Sequence, residues 1–422
     1  MTSTPLFDAT LDLPLPARRV RLVVIILFGL LGCIMSWWAS GVLLPDILRE
    51  GTEDIWYDGD SPQIYSQMTS RWSTQHFRTR RHPLFSLLTT PFFWTAHKVS
   101  AISMETLVRM AMALASACVA SAFCHICILI TRNVVIAALW TTVFVCSSGY
   151  MFWCGVPETF IFGALTILIP ICTLTLFRCT TQSDWILTVA MLSSLSITLT
   201  NVMSGLVVAF LARAPRHVWQ IFKSAIFLSV VGVAIQVQLI PGTRQGIYFI
   251  PDFSDDARWV SGGTEDPLYR RCLLVLFTGV VLPRISVKEM GFPGFPRIGL
   301  SVQDVSYPVV GIIGITIWCT LLSLAAYAPI EGGQLDGKKL YTAVGLVALG
   351  QIVLHTLWGR EIFLYSAHFV PGLILFSAYA CRTRFRKVAV ALAVALLVIE
   401  IANNVPAFLW SANYVRTLAA AG

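Results

Sequence analysis

The sequence predicts an all-α polytopic membrane protein with about eleven transmembrane helices and further helices lying along the outer membrane face. Hydrophobic residues make up 56% of the 422 residues and charged residues only 12%, whereas a soluble domain typically has about 25% charged residues. The apolar residues are collected in runs that approach the roughly 20 residues a helix needs to cross a bilayer. Many basic residues stand in short groups beside these runs, as in the cytoplasmic loops of membrane proteins. Despite the net charge of +8, this pattern excludes a nucleic-acid-binding protein, and it also excludes a soluble enzyme and a disordered scaffold.

Eleven apolar runs are the predicted spans. The first follows three arginines and is too long for a usual signal peptide, so we expect an uncleaved anchor with its N-terminus in the cytoplasm. Two weaker segments, 83–98 and 271–283, are predicted to be re-entrant or interfacial helices on the outer face. The basic groups at 213–223 and 382–387 then both fall on the cytoplasmic side, and the C-terminus lies outside. The predicted spans are 20–44, 105–131, 134–153, 159–177, 185–200, 202–212, 222–240, 307–327, 340–357, 364–380 and 388–410.

This topology divides the chain into three parts. Residues 1–240 are predicted to form an N-terminal catalytic transmembrane module that includes the outer loop 45–104. Residues 241–306 form an outer loop with an interfacial helix, and residues 307–422 form the C-terminal transmembrane helices. The long outer loops hold most of the acidic residues and the cytoplasmic loops are short, so we expect any chemistry on the outer face. The five predicted outer segments are 45–104, 154–158, the turn near Asn201, 241–306 and 358–363.

The loop after the first span is the most informative stretch of the sequence. Asp60 precedes Ser61 and Pro62, which suit the N-cap and the first turn of a short helix. Apolar residues then follow with a spacing of four as far as Trp72, with Tyr65 alongside, which predicts a helix lying in the membrane interface. Unpaired N–H groups at the start of that helix favour a negative charge and would hold Asp60 near the membrane surface.

A basic cluster follows in the same loop, formed by Arg78, Arg80, Arg81 and His82. On an outer face these groups oppose the positive-inside rule, so something negative should offset them. A phosphate or pyrophosphate head group at the membrane surface would do so. The alternative is that they pair with acidic residues of the same loop or contact lipid phosphates without specificity.

Further polar residues fall at the predicted outer boundary. Glu158 lies between two apolar runs, where a carboxylate is costly and indicates a functional site, although it could also be a helix N-terminal carboxylate. Asn201 marks an outer turn or helix break, with either a packing role or a substrate contact. Arg360, Tyr365 and His368 lie at the outer end of two spans. Arg360 could be balanced by the glutamate that follows it, and Tyr365 could be an aromatic-belt anchor.

These motifs together resemble the GT-C glycosyltransferase superfamily, in particular protein mannosyltransferases and the lipid A aminoarabinose transferase. The resemblance covers about the first 210 residues reasonably and the rest loosely. The family often has an acidic pair at its loop aspartate, whereas Ser61 follows Asp60 here, and the Trp-Trp-Asp motif of oligosaccharyltransferases is absent from the sequence. The matching motifs are Gly59-Asp60-Ser61-Pro62 with Tyr65, Arg81-His82-Pro83-Leu84, Thr200-Asn201-Val202-Met203-Ser204-Gly205, and Arg360 with Tyr365 and His368.

The resemblance implies transfer of a sugar from a polyprenyl-phosphate donor to an acceptor hydroxyl, with inversion at the anomeric carbon. Asp60 matches the catalytic base of the family, Asp58 is the second candidate, and Glu158 would orient the acceptor or hold a divalent cation with Asp60. No metal or other cofactor is required. The acceptor is a lipid, a glycan or a protein, and the location is an integral membrane, the bacterial inner membrane, with the site facing the periplasm or exterior. The expected donor-phosphate ligands are Arg80, Arg81, His82, Arg360 and His368, and the expected substrate contacts are Tyr65, Asn201 and Tyr365.

Two other classes of function stay open from the sequence. A transporter or lipid flippase would carry polar residues near the middle of the membrane and often two related halves, and neither is clear here. Another membrane transferase, such as an acyltransferase or an O-antigen polymerase or ligase, is the second alternative. An acyltransferase should have a histidine within a span, and His125 is the candidate for that position.

Overall fold

The computed structural model describes residues 15–49, 54–176, 184–246, 267–292, 295–331, 337–359 and 361–421, without the side chains of some of these residues, Arg80 among them. Arg360 lies outside the described residues. Short 3₁₀ turns occur at Thr74–Arg80, Leu199–Asn201, Pro241–Gly246, Ile362–Tyr365 and Ala378–Arg382. The helices are α1 (Leu15–Ile47), α2 (Ser61–Thr69), α3 (Phe85–Val99), α4 (Met104–Thr131), α5 (Val134–Cys146), α6 (Ser148–Met151), α7 (Phe160–Leu176), α8 (Asp184–Ile197), α9 (Val202–Ala212), α10 (Pro215–Leu239), α11 (Leu268–Phe277), α12 (Val309–Glu331), α13 (Lys338–Leu357), α14 (Ser366–Ser377) and α15 (Arg386–Ala421).

The helices confirm a helical polytopic membrane protein. Within the described part of the chain, seven stretches are long and apolar enough to cross a membrane: α1, α4, α10, α12, α13, the stretch Ile362–Arg382 that contains α14, and α15. Four apolar helices, α5, α7, α8 and α9, are shorter. The eleven predicted runs fall on these two groups of helices, and the number of crossings stays a prediction. The two segments predicted not to cross form α3 and α11, with only 15 and 10 residues.

Polar caps and backbone breaks set the ends of helices α4, α5 and α6. The Ser103 side chain accepts a hydrogen bond from the N–H of Thr106 and starts α4. That helix ends at Arg132, which adopts the left-handed conformation, and the Asn133 side chain then caps α5. Ser147 interrupts the helix again, because it ends α5 and caps the single turn of α6. The breaks between α4, α5 and α6 are therefore determined by residues at the helix ends.

A β-hairpin interrupts the helical pattern in the fourth predicted outer segment, where the sequence predicted only an interfacial helix. Strands β1 (Ser286–Phe292) and β2 (Phe295–Ser301) pair antiparallel, with Ser286 opposite Ser301. The hairpin is fastened to the first loop because the Leu300 N–H donates to the Ile55 carbonyl at 3.0 Å. Its seven-residue strands contain glycine and proline, which weaken a strand pattern in the sequence.

The core runs the length of the bundle and is dominated by aromatic residues near the end that carries the predicted outer segments. Trp56, Trp153 and Phe363 are fully buried there. Phe152 contacts the rings of Trp56 and Phe363, and Phe363 in turn contacts Trp153. The predicted outer segments around Gly59, Asn201 and Gly359 are thereby held at one end of the molecule. Contacts between these segments define the candidate site.

Candidate active site

The loop 54–59 has an unusual backbone. Asp54, Tyr57 and Asp58 adopt left-handed conformations with φ of 67°, 52° and 62°. Such a conformation costs an L-residue roughly 1–2 kcal/mol, and it persists only where the surrounding structure fixes it. Two aromatic anchors do so here. The Trp56 indole donates to the Phe152 carbonyl at 3.1 Å, and the Tyr57 hydroxyl lies 2.8 Å from the Ser411 hydroxyl. The strained backbone therefore lies at the two candidate carboxylates, Asp58 and Asp60.

Asp60 occupies the N-cap position of α2, one residue earlier than predicted for Ser61. Its side chain does not cap the helix. Instead Oδ2 accepts a hydrogen bond from Arg78 Nη1 at 2.6 Å, while Oδ1 has no hydrogen bond to any described residue. The side chain is 35% exposed, so Oδ1 is accessible to a substrate. The predicted apolar stripe also ends early, because α2 stops at Thr69 and leaves Trp72 74% exposed.

Glu158 lies directly beneath this loop and is 2% exposed. A methyl group at Gly59 would lie 3.4 Å from its Oε1, which has no hydrogen-bond partner among the described residues. Burial raises the pKa of the Glu158 carboxyl well above its usual value, and the neighbouring charge of Asp60 raises it further. The charge of Arg78 and the backbone of Thr159 act in the opposite direction. The raised pKa favours the protonated form of Glu158.

The basic cluster is fixed by the break between α8 and α9. The Leu84 N–H donates to the Ser196 carbonyl at 2.9 Å, and the Leu199 N–H donates to the Arg81 carbonyl at 3.2 Å. His82 Nδ1 lies 2.7 Å from the Ile197 carbonyl and must donate to it, because a carbonyl can only accept. These contacts join the second half of the first outer loop to the turn near Asn201.

His82 is neutral in this setting. The pKa of His82 is lowered to about 4, mainly by burial; the hydrogen bond to the Ile197 carbonyl opposes this effect, and the charges of Arg78 and Arg81 add to it. Its one N–H is used by Ile197, so Nε2 carries a lone pair and no proton. The sequence placed His82 among the phosphate ligands. That role stays a prediction, and in the geometry described a neutral imidazole whose N–H is used can only accept a hydrogen bond.

Tyr365 and His368 approach the cluster from the start of α14. The hydroxyl of Tyr365 interacts electrostatically with Asp58, Asp60, Glu158 and Arg81. Its ring stacks on His355, with centroids 4.9 Å apart and an angle of 18°. Asp58, Asp60, Glu158, Arg81 and Tyr365 are thus brought together.

His368 lies one layer deeper than Tyr365. It is 2% exposed and packs against Gly163, where a methyl group would overlap the imidazole ring. Neither of its ring nitrogens has a hydrogen-bond partner in the described structure. Its predicted contact with a head-group phosphate stays a prediction. Buried polar atoms of this kind require water or a polar ligand group.

Two predicted substrate contacts lie elsewhere. The Asn201 amide donates to the Gly163 carbonyl at 3.2 Å and to the Thr166 hydroxyl at 3.3 Å, so it packs α9 against α7. Tyr65 is half-buried on α2, and the charge that affects its hydroxyl is Glu105 rather than a carboxylate of the cluster. The side chain of Arg80 and the whole of Arg360 fall outside the described part of the chain, so their predicted phosphate contacts have no structural counterpart here.

Sequence reasoning missed three residues of the site. Arg78 belonged to the predicted basic cluster, but no role was assigned to it, although it forms the ion pair with Asp60. Glu361 is 4% exposed and accepts a hydrogen bond from the Ser301 hydroxyl at 3.0 Å; burial raises its pKa to about 8, and the charge of Asp58 contributes. Arg271 in α11 is buried and donates to the Gly359 carbonyl at 2.7 Å. An arginine within a short amphipathic outer-face segment was the available signal for Arg271.

No group of three or more His, Cys, Asp or Glu side chains within the described ranges has a geometry that could hold a metal ion. Comparison of the chain with protein-family models and with curated proteins finds no match.

Proposed function

We propose that this protein is a membrane glycosyltransferase of the GT-C type, which moves a sugar from a polyprenyl-phosphate donor to an acceptor hydroxyl on the outer membrane face. The observation that carries the proposal is the accessible carboxylate oxygen of Asp60, held beside Arg78 and Arg81 at one end of an apolar helical bundle. A lipid phosphate reaches such a cationic group only from the membrane surface. The acceptor hydroxyl needs a base at the same place.

The roles of the residues follow from their charge states. Arg78 offsets the charge of Asp60 and fixes its orientation through Oδ2, which leaves Oδ1 to accept the proton of the attacking hydroxyl. General-base assistance of this kind contributes roughly 10²–10⁴-fold to a rate. Neutral Glu158 adds no second negative charge next to the base. His82 Nε2 accepts a hydrogen bond from the acceptor and helps to orient it.

The leaving group is a lipid phosphate on which negative charge grows in the transition state. Arg81, together with Arg80 and Arg360, stabilises that charge. Direct attack of the hydroxyl on the anomeric carbon breaks the bond to the phosphate oxygen and inverts the anomeric configuration. This reaction does not require a divalent cation.

The proposed topology has eleven crossings, with the N-terminus in the cytoplasm and the C-terminus outside. It is supported by contacts among all five segments assigned to the outer face. Loop 54–59 contacts Glu158 and β2, the Arg81 carbonyl bonds to Leu199, and Arg271 bonds to Gly359. Helix ends that belong to one face of a membrane are expected to meet in this way. We place the protein in a bacterial inner membrane with the site facing the periplasm or exterior.

The experiment is a transfer assay with purified protein in lipid, radiolabelled polyprenyl-phosphate sugars and a membrane extract that supplies lipid, glycan and protein acceptors. The parent should transfer label, and Asp60→Asn should lose roughly 10²-fold or more of the rate while still binding donor. Asp304→Asn is the matched control. It removes a half-exposed carboxylate that pairs with Arg270 at 3.3 Å in the same outer-face region.

The assay separates the possible outcomes. Transfer by the parent that Asp60→Asn abolishes and Asp304→Asn preserves supports both the enzyme class and the base. An active Asp60→Asn protein refutes the base assignment. A parent that neither binds nor transfers any donor in the panel refutes the proposed function.

One observation favours a transporter without transfer chemistry as the second candidate. Glu400 is fully buried in α15, about 20 Å along the helix from Arg386, and neither of its carboxyl oxygens has a partner among the described residues. A carboxyl group inside a span is costly and is typical of proton-coupled transport. Glu400→Gln should leave sugar transfer unchanged if the protein is the proposed enzyme. Loss of proton-dependent lipid or solute movement in vesicles by that variant would favour the transporter.

No corresponding observation favours an acyltransferase. His125 on α4 bonds through Nε2 to the Thr175 hydroxyl at 3.2 Å and packs between helices.

A further inference from the structure

A groove on the surface of the bundle lies outside the candidate active site. It has a volume of about 310 Å³ and lies between the segment that follows α11, the start of α12 and the outer half of α15. Its walls are mostly apolar and rigid, because they consist of two prolines and one face of a long helix. The lining residues include Pro283, Arg284, Pro308, Asn403, Ala407 and Trp410.

The height of this groove in the membrane follows from the length of α15. Trp410 stands 24 residues after Arg386, which corresponds to about 36 Å of helix, slightly more than the roughly 30 Å of a bilayer's hydrocarbon core. Trp410 is 47% exposed and stacks on Tyr414, as expected for a tryptophan at the level of the lipid head groups. The groove therefore opens sideways at the boundary between acyl chains and head groups.

Arg284 brings an uncompensated positive charge to this boundary. Its backbone N–H bonds to the Ser306 carbonyl at 2.8 Å, but its side chain is exposed and makes no hydrogen bond, ion pair or ring contact with any described residue. Nearby cations are engaged: Arg270 pairs with Asp304 at 3.3 Å, and Arg416 with Asp46 at 3.4 Å. A free guanidinium above an apolar groove is complementary to an amphiphile with an anionic head.

We propose that this groove is a binding site for an anionic phospholipid, separate from the cluster around Asp60. The lipid phosphate binds the Arg284 guanidinium, and an acyl chain lies along Ala407 and Trp410. The Asn403 side-chain amide donates a hydrogen bond to the Leu282 carbonyl at 2.8 Å. This bond attaches the segment that carries Arg284 to α15. The site does not depend on the proposed transfer reaction.

The test uses the full-length protein in phosphatidylcholine nanodiscs, with brominated phosphatidylglycerol or brominated phosphatidylcholine added at equal mole fractions. Bromine on an acyl chain quenches a tryptophan that it touches. The parent should show extra quenching by phosphatidylglycerol, and this extra component should disappear in Trp410→Phe. Arg284→Gln should weaken the apparent phosphatidylglycerol affinity about fivefold, and Arg284→Lys should keep most of it.

The controls separate this site from its alternatives. Arg19→Gln removes an exposed arginine near the start of α1 and should leave the quenching of Trp410 unchanged. Equal loss in Arg19→Gln and Arg284→Gln would mean diffuse attraction and would overturn the proposal. So would equal quenching of Trp410 by the two brominated lipids in the parent, or displacement of the lipid by millimolar inorganic phosphate. Because the Arg284 side chain makes no hydrogen bond, ion pair or ring contact with the described residues, Arg284→Gln should unfold at the parental temperature.

Discussion

Replacement of Glu158 by glutamine isolates the charge state of one buried group while preserving its size. In the folded protein Glu158 is 2% exposed and its pKa lies well above the ordinary 4.5, first because of burial and second because of Asp60. Glutamine has nearly the same shape and is always neutral. Glu158→Gln should therefore keep most of the activity at pH 7, whereas Asp60→Asn should not.

The magnitude follows from proton linkage. The folded chain holds the Glu158 proton, and the unfolded chain releases it above a pH of about 4.5. Between that pH and the raised folded pKa, the unfolded state binds fewer protons, so the stability of the parent falls by up to about 1.4 kcal/mol per pH unit. Glu158→Gln does not undergo this loss. Above pH 5 its free energy of unfolding should therefore rise relative to the parent as the pH increases, by at most about 1.4 kcal/mol per pH unit.

The assay is thermal or denaturant unfolding of the parent and Glu158→Gln in one detergent at several pH values from 5 to 7. Glu289→Gln is the control, since Glu289 is exposed on β1 and its carboxyl is solvated before and after unfolding. Its difference from the parent should stay nearly constant with pH. A Glu158→Gln difference that is flat, or that shrinks as the pH rises, would show that Glu158 is ionised in the folded protein and would refute the electrostatic reasoning.

Three other predictions concern the surroundings of the loop. Gly59→Ala places a methyl group 2.9 Å from a backbone carbonyl oxygen and should reduce transfer about tenfold or more, whereas Gly345→Ala, whose nearest new contact is 3.7 Å, should transfer at the parental rate. Tyr57→Phe removes the 2.8 Å bond to Ser411 and should lower the free energy of unfolding by about 1 kcal/mol; an unchanged unfolding temperature would contradict the anchoring role. Glu361 has a pKa raised to about 8, so the parent should lose stability relative to Glu361→Gln as the pH rises toward 8, and the difference should then level off; a difference that keeps growing above pH 9 would contradict this.

The parts of the fold that depend on local composition were predictable from the sequence. The apolar runs marked every long helix, and α3 and α11 were too short and interrupted to resemble spans. The grouping of the site residues followed from which loops share a membrane face. Once 83–98 and 271–283 were kept on the outer face, Asp60, Glu158 and Tyr365 had to belong to loops at one end of the molecule, and the structure brings them together.

What the sequence could not supply is the partner of each polar group. Arg78 and Arg81 are equivalent in a pattern of basic residues, but the backbone between residues 60 and 78 decides which of them meets Asp60. The neutral state of His82 depends on the Ile197 carbonyl, 115 positions away. Asn201 faces helix α7 because of how two short helices pack.

The anchoring of loop 54–59 also has a consequence for biosynthesis. Tyr57 is secured by Ser411, which lies 354 positions further along the chain. At about 5–20 residues per second, the ribosome adds Ser411 roughly 20–70 s after Tyr57. During that interval Tyr57 lacks its hydrogen bond to Ser411, although α1 is already available for insertion. A nascent chain that stalls before α15 would contain every acidic residue of the site but would lack the Tyr57 anchor. The loop is therefore fully anchored only when the whole bundle has been made.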